Sequence, residues 1–351
     1  MAFDFGRGAR RDFRTMSPRS LSLRLLFSAT LAGVAALRAA PSHGLLLVAN
    51  KQDMSLSIVD PSVGLQVAVV PENGSTGHEV AVSPDGARAF VPLYGNSGVG
   101  KPGTDGKLIR VIDLRSRAIV ATIDLGRPLR PHRPVFGPKD GLLYVTTELA
   151  DSVTVIDPAT LAVVGSIPTG RDESHMLAIS SDGRRGYTAN VKSGSVSVLD
   201  LGARTLVAVI PVAPVVQRIA LSTDDRWAFT ADQTALRLAV IDTASDSVVR
   251  SIPLPALAFG TAPTPDGRYL LVALPAAGLV AQVDLAAMRV VRTVEVPKAP
   301  QEILVRPDGA VAYVSCDSSA TVAVIDLASW TVGKLISVGA VDDGLAWARS
   351  D

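Results

Sequence analysis

A single cysteine, Cys316, among 351 residues rules out an intrachain disulfide. The fold must therefore be held by its core even in an oxidising compartment. Aromatic residues make up only 5% of the chain, too few for the stacking platform of a single-stranded nucleic-acid binder. Charge of one sign is not in surplus either: 34 Lys and Arg face 33 Asp and Glu, a net of +1. The basic footprint of a nucleic-acid-binding surface is thus missing, and no nucleic-acid partner is expected. No G-x-S-x-G elbow and no nucleophile–base pair stands out. GVGKPG (98–103) lacks the spacing and the following helix of a phosphate-binding loop. No segment carries the 3.6-residue apolar rhythm of a helical repeat.

The first forty residues differ from the rest. Arg7, Arg10, Arg11, Arg14, Arg19 and Arg24 precede the apolar run LLFSATLAGVAAL (25–37), with small residues Ala39 and Ala40 behind it. That is the layout of an export signal, and the run is too short to span a bilayer comfortably. RRDF (10–13) fits a twin-arginine signal, whereas MSPRSLSLR from Met16 would serve as a Sec-type signal by itself, so Met1 and Met16 both stand as starts. Cleavage is expected between Ala36 and His43, and no cysteine lies there to carry a lipid anchor. The expected organisation is an export segment over 1–43 and one domain over 44–351, periplasmic or secreted. Losing residues 1–40 takes away seven arginines and two aspartates, so the net charge falls from +1 to −4.

What the domain has in abundance is repetition. Strand-like segments ending in aspartate recur as LSIVD (56–60), IRVID (109–113), VTVID (153–157), VSVLD (196–200), LAVID (238–242), VAQVD (280–284) and VAVID (322–326). Between them lie turns such as SPDG (83–86), SSDG (180–183), TPDG (264–267) and RPDG (306–309). The aspartates are 53, 44, 43, 42, 42 and 42 residues apart. A period near 42 residues with four short strands per unit is the signature of propeller blades. Within a unit, strand A runs into the Gly turn, B leaves it, C ends in the aspartate, and D follows. The chain begins with B, C and D and ends with a last A, so seven aspartates predict an all-β, seven-bladed β-propeller closed by its C-terminal strand. The aspartates themselves are expected to be structural turn residues.

The units GRRGYTANVKSGSVSVLD, LLYVTTELADSVTVID and AVAYVSCDSSATVAVID resemble the YVTN-type bacterial β-propeller repeat. The likeness covers roughly residues 44–350. It implies the seven-bladed fold of lactonase-like propellers and of the haem-carrying domain of a nitrite reductase, and it supplies no catalytic residue to carry over.

Three of the four histidines occupy one repeat position. His78 and His175 stand eight residues before Gly86 and Gly183, and His132 stands nine before Gly141, in a turn lengthened by Lys139. Continued round the ring, that position reads His78, His132, His175, Gln217, Phe259, Gln301 and roughly Gly344, and the next reads Glu79, Arg133, Met176, Arg218, Gly260, Glu302 and Leu345. A ligand-binding channel mouth follows, made of His78, Glu79, His132, Arg133, His175, Gln217, Arg218, Gln301 and Glu302. The insertion YGNSGVGKPGTDGK (94–107) should rise over it as a lid.

Two readings stay open. One is an exported binding or interaction module for a small polar ligand or a periplasmic protein partner such as an oxidoreductase. The other is an enzyme, a lactonase-like hydrolase or an oxidoreductase, holding a divalent transition metal on His78, His132 and His175 with Glu79, Glu173 or Glu302 completing the set. Cys316, at the end of a B strand, reads first as a small buried residue and second as a ligand or reactive thiol.

Overall fold

The computed structural model describes residues 43–96 and 98–349, and the expected export segment lies outside them except for His43. Among the described residues no helix is long and apolar enough to cross a membrane.

Seven antiparallel sheets follow one another along the chain as blades. Blade 4 shows the pattern: A is Ser174–Ile179, B Arg185–Asn190, C Ser195–Asp200 and D Thr205–Pro211. The A strands of blades 3, 5, 6 and 7 are Pro131–Phe136, Val216–Leu221, Thr261–Pro263 and Pro300–Val305. Blade 2 has its A strand in two pieces, Thr76–Gly77 and Ala81–Val82, both paired with Arg88–Gly95. Blade 1 takes its B, C and D strands from Gly44–Asn50, Ser55–Asp60 and Leu65–Pro71, and its A strand, Asp342–Arg349, from the other end of the chain. The ring is closed as the repeat requires, which leaves no open edge on the inside.

Local chemistry explains the regularity. Asp60, Asp113, Asp157, Asp200, Asp242, Asp284 and Asp326 each accept a backbone N–H two or three residues on, an Asx turn that ends strand C. The A–B turns of blades 2, 4, 5 and 6 are tied by a Ser or Thr hydroxyl, as in Ser83 bonded to Asp85 and Arg88, and Gly86 sits at φ +72°, where a side chain would be strained. Apolar residues of strands A to C fill the space between neighbouring sheets, as with Leu47, Ile58, Val91 and Ile112 between blades 1 and 2. The D strands carry alternating exposed residues and form the outer wall.

One irregularity recurs and matters for function. The A–B register slips in blades 1, 3, 4, 5 and 7 at the head of the A strand, so that in blade 4 Ser174 pairs with Asn190 while Met176 pairs with Ala189, leaving His175 as the extra residue. A bulge of this kind breaks the alternation of faces. Two successive residues, instead of one, are thereby available to the ring axis.

Candidate functional site

The bulges build two layers across the channel. The outer layer belongs to blades 2, 3 and 4 and gathers the three histidines. The His132 and His175 rings stack with centroids 3.6 Å apart, His78 meets His132 edge-on at 5.4 Å, and Tyr94 stacks on His78 at 4.6 Å. Beneath them Glu148, in the one-turn helix Glu148–Ala150, accepts from the Tyr94 hydroxyl at 2.7 Å and bonds His175 Nδ1 through its other oxygen. His132 and His175 are buried and His78 is half-buried. Desolvation pushes His78 down to about 3, with Lys51, His175 and Arg218 adding to it against the pull of Asp343. Desolvation, followed by His175 and His78, holds His132 well below the usual imidazole range. Both rings are therefore neutral at physiological pH.

Bringing the histidines together does not make them a ligand set as they stand. Among the described residues no group of three or more His, Cys, Asp or Glu is placed to hold a metal ion. Stacked rings keep their in-plane lone pairs from converging on one point, and Glu148 on His175 Nδ1 leaves only Nε2 of that ring as a ligating atom. His78, His132 and His175, the expected metal set, pack together here with Tyr94 as an aromatic group.

The inner layer is a ring of charge. Arg218 Nη1 donates to Glu79 at 2.7 Å and Glu302 at 2.6 Å, and its Nη2 donates to Asp343 at 2.7 Å. Arg133 Nη1 donates to the other oxygen of Glu79 and, at 3.2 Å, to the other oxygen of Glu302. Two arginines and two glutamates from blades 2, 3, 5 and 7 thus form a closed square, and Asp343 ties it to blade 1. Glu79 is fully buried, and the Arg218 side chain is 3% exposed. The guanidinium of Arg218 also lies over Phe259, 4.5 Å from its centroid. Burial pushes Asp343 up, but Arg218 and Lys51 outweigh it and hold the carboxyl well below its usual range. Glu302 is pushed up by burial despite both arginines.

The closing blade needs a correction. Its contribution at the histidine position is Asp343, not Gly344, and Gly344 rather than Leu345 follows it, because Asn50 pairs with Asp342 as Asn190 pairs with Ser174. The A–B turn of this blade is split between the chain ends, so no turn glycine exists from which to count. Gly344 has its own reason to be glycine: a Cβ there would lie 2.6 Å from His78 O, the atom that accepts its N–H at 2.9 Å. Gln217 and Gln301 take the expected positions and are half-buried. Cys316 is buried and free, with its thiol pushed up to about 12 by desolvation first, which fits a packing residue.

The insertion does pack over the histidine side. Arg130 donates to Lys101 O at 2.6 Å, pairs with Asp105, and lies over the Tyr94 ring at 5.6 Å. Gly100 rests against the Glu173 carboxylate, where an added Cβ would be 2.8 Å from Oε1. Glu173 thus meets the lid, with Glu148 and His175 near enough to act on it electrostatically. Sequence reasoning missed Tyr94, Arg130, Glu148 and Asp343. The first and third sit at the B strand ends beside the B–C connections, which no repeat position singled out.

On the other side of the charge layer the channel opens into a cavity of about 350 Å³. Arg133, Arg218 and Glu302 stand at its head, Thr261 is a further polar group on its wall, and Val135, Leu177, Ala220, Ile303 and Leu345 are among its apolar lining. The nine expected mouth residues are therefore divided: the histidines face the lid, and the Arg and Glu layer faces the cavity.

No family model matches the chain, and no curated protein matches it. Solved structures do. A Kuenenia stuttgartiensis hydrazine synthase chain has a TM-score of 0.64 at 18% identity, covering 77% of this chain and 89% of that one. The dihydro-heme d1 dehydrogenase NirN, solved in complex with DHE, has a TM-score of 0.62 at 17% identity over 85% of this chain and 64% of its own. A functionally unknown protein from Desulfotomaculum acetoxidans reaches 0.72 at 13% identity, over 88% of this chain and all of that one (100%). The chain shares their propeller fold. At such identities the likeness shows the fold alone.

The charge layer sets an expected outcome for one substitution. Arg218→Met leaves Glu79, Glu302 and Asp343 short of their shared donor and should cost about 3–5 kcal/mol in denaturant unfolding. Adding Asp343→Asn should cost less than the sum of the two single changes. Additive losses would show that the groups are not coupled.

Proposed function

We propose that this chain is an exported binding module, a propeller of the YVTN type that takes a small polar ligand into its central channel. The cavity on the axis carries the reading. Its volume of about 350 Å³ falls in the range of small-molecule sites, and its mainly aliphatic wall with a few polar groups at one end is the usual composition of such sites. Arg133, Glu302 and Thr261 offer donors and acceptors at that end, while the aliphatic wall excludes water from the remainder. The blade sequences support the YVTN assignment, and the arginine-rich start and apolar run of residues 1–43 support export.

The competing reading, a metal-dependent hydrolase or oxidoreductase working at the histidines, has one observation in its favour. His78 and His132 are held neutral, and neutral imidazole is the form that ligates a metal. A transition metal would have to unstack the rings.

The two readings separate in one set of titrations. A panel of short carboxylates, polyols and amino acids, followed by NMR, should yield compounds that shift Thr261 and Leu345. Ala178→Trp, which fills the cavity, should abolish their binding while the protein stays folded, and His78→Ala should not affect it. Binding that survives Ala178→Trp contradicts the channel site. Tight binding of Zn²⁺ or Cu²⁺ alone, weakening as pH falls and lost in His78→Ala, would favour the metal reading instead.

Export has its own test. A reporter active only outside the cytoplasm, fused behind residues 1–43, should be active. Lys in place of Arg10 and Arg11 should abolish that activity if the twin-arginine route is used, and a reporter silent from both Met1 and Met16 starts would contradict export.

A further inference from the structure

The seam where the two chain ends meet contains two buried oxygens, on residues paired across the strands, that have no donor. Asn50, the last residue of strand B in blade 1, is the cross-strand partner of Asp342, the first residue of strand A. Both are fully buried. Asn50 Oδ1 and Asp342 Oδ1 have no hydrogen-bond partner, whereas Asp342 Oδ2 accepts the Cys316 N–H at 2.8 Å. Two buried acceptors left without a donor would cost heavily.

Blade 4 shows what that position requires. There Asn190 pairs with Ser174 in the same register, and the Ser174 hydroxyl donates to Asn190 Oδ1 at 2.8 Å. The amide orientation is fixed on its other side. Asn190 Nδ2 donates to Ser195 and Ser197, and the Ser197 proton goes to the Thr169 carbonyl, an atom that can only accept. Asn50 repeats the arrangement: its Nδ2 donates to Ser55 at 3.1 Å and Ser57 at 2.8 Å, and Ser57 in turn bonds Gln66. With the amide in that orientation Asn50 Oδ1 is left without a donor, and blade 1 has the Asp342 carboxyl where blade 4 has the Ser174 hydroxyl.

We infer that Asp342 is a neutral carboxylic acid in the folded protein, its Oδ1–H donated to Asn50 Oδ1, and that this proton latches the seam which closes the propeller. The proton site is independent of the channel ligand proposed above. The surroundings favour it. Desolvation pushes the Asp342 carboxyl up to about 7, with Asp317 and Asp343 adding to it and the Cys316 N–H opposing it. Of the charged groups near the seam, Lys51 is occupied by Asp317 at 3.4 Å and Asp343 at 3.2 Å. The Cys316 thiol stays protonated, being itself pushed up.

The sign of the pH effect follows. An unfolded Asp loses its proton near 3.8 and the folded one near 7. The latch is fully in force below the lower value, weakens progressively as pH rises between the two, and is gone above the upper one. Over that window each pH unit should open the seam about tenfold more readily. Raising the pH loosens the contact between the chain ends, whereas blade 4, with the Ser174 hydroxyl at that position, has no titrating group there.

Hydrogen exchange of the backbone amides in Gly44–Asn50 and Asp342–Arg349 reads this directly. Between pH 5 and pH 7, after correction for intrinsic exchange, wild-type protection should fall by on the order of 100-fold. In Asp342→Ser, which copies blade 4, and in Asp342→Asn, whose amide can donate to Asn50 Oδ1, the excess should vanish. Glu72, also pushed up to about 7 by burial, is unchanged in both variants and cancels in the comparison. A second measurement needs no variant to fold: the Asp342 carboxyl carbon, followed by ¹³C NMR in the wild type, should titrate near 7. Titration near 3.8, or a wild-type pH slope that persists in Asp342→Ser, overturns the inference.

Discussion

The square of Arg133, Glu79, Arg218 and Glu302, braced by Asp343, is the constraint on which the rest of this channel depends. Each glutamate uses both oxygens, one for each arginine, so no member can leave without stranding charge in a buried place. The square fastens blades 2, 3, 5 and 7 across the axis, and Asp343 adds blade 1. Apolar contacts alone link each blade only to its neighbours. The charge layer brings blades from opposite parts of the ring together across the axis, so it sets the channel's polarity there.

It also divides the channel into two chambers with different chemistry. On one side lie the stacked imidazoles with Tyr94 and Glu148 under an insertion anchored by Arg130. On the other lies a mainly aliphatic cavity whose polar groups gather at the arginine end. A ligand entering the cavity meets guanidinium and carboxyl groups already held in place, which lowers the ordering cost of binding. The histidine chamber is shielded from that ligand by the same layer.

Much of this was legible in the sequence, for definite reasons. The blade count and the closure followed from seven aspartates near a 42-residue spacing, because each one performs the same Asx turn. The histidine arc and the placement of Glu79, Arg133, Arg218 and Glu302 at one repeat position followed from counting back from the left-handed turn residue, Gly86, Gly141, Gly183, Asp225 or Gly309. Legibility failed where the count had no origin. Asp343 was missed by one residue because the closing blade's turn is divided between the chain ends. Tyr94 and Glu148 escaped because they come from neighbouring strand ends, and no periodicity tells which residues beside a loop turn inward. The orientation of the histidine rings is a point that sequence does not carry: sharing a position brings them together, and only their orientation decides whether lone pairs converge or faces stack.

The most direct test of the central claim is the NMR spectrum of the arginine side chains. If Arg133 and Arg218 form a buried square with Glu79 and Glu302, their guanidinium Nη–H signals should be resolved at room temperature, slow to exchange with solvent, and lost together in Glu79→Gln. If instead all arginines give the averaged, rapidly exchanging signals of solvated side chains, the square does not exist and the channel is not organised as described.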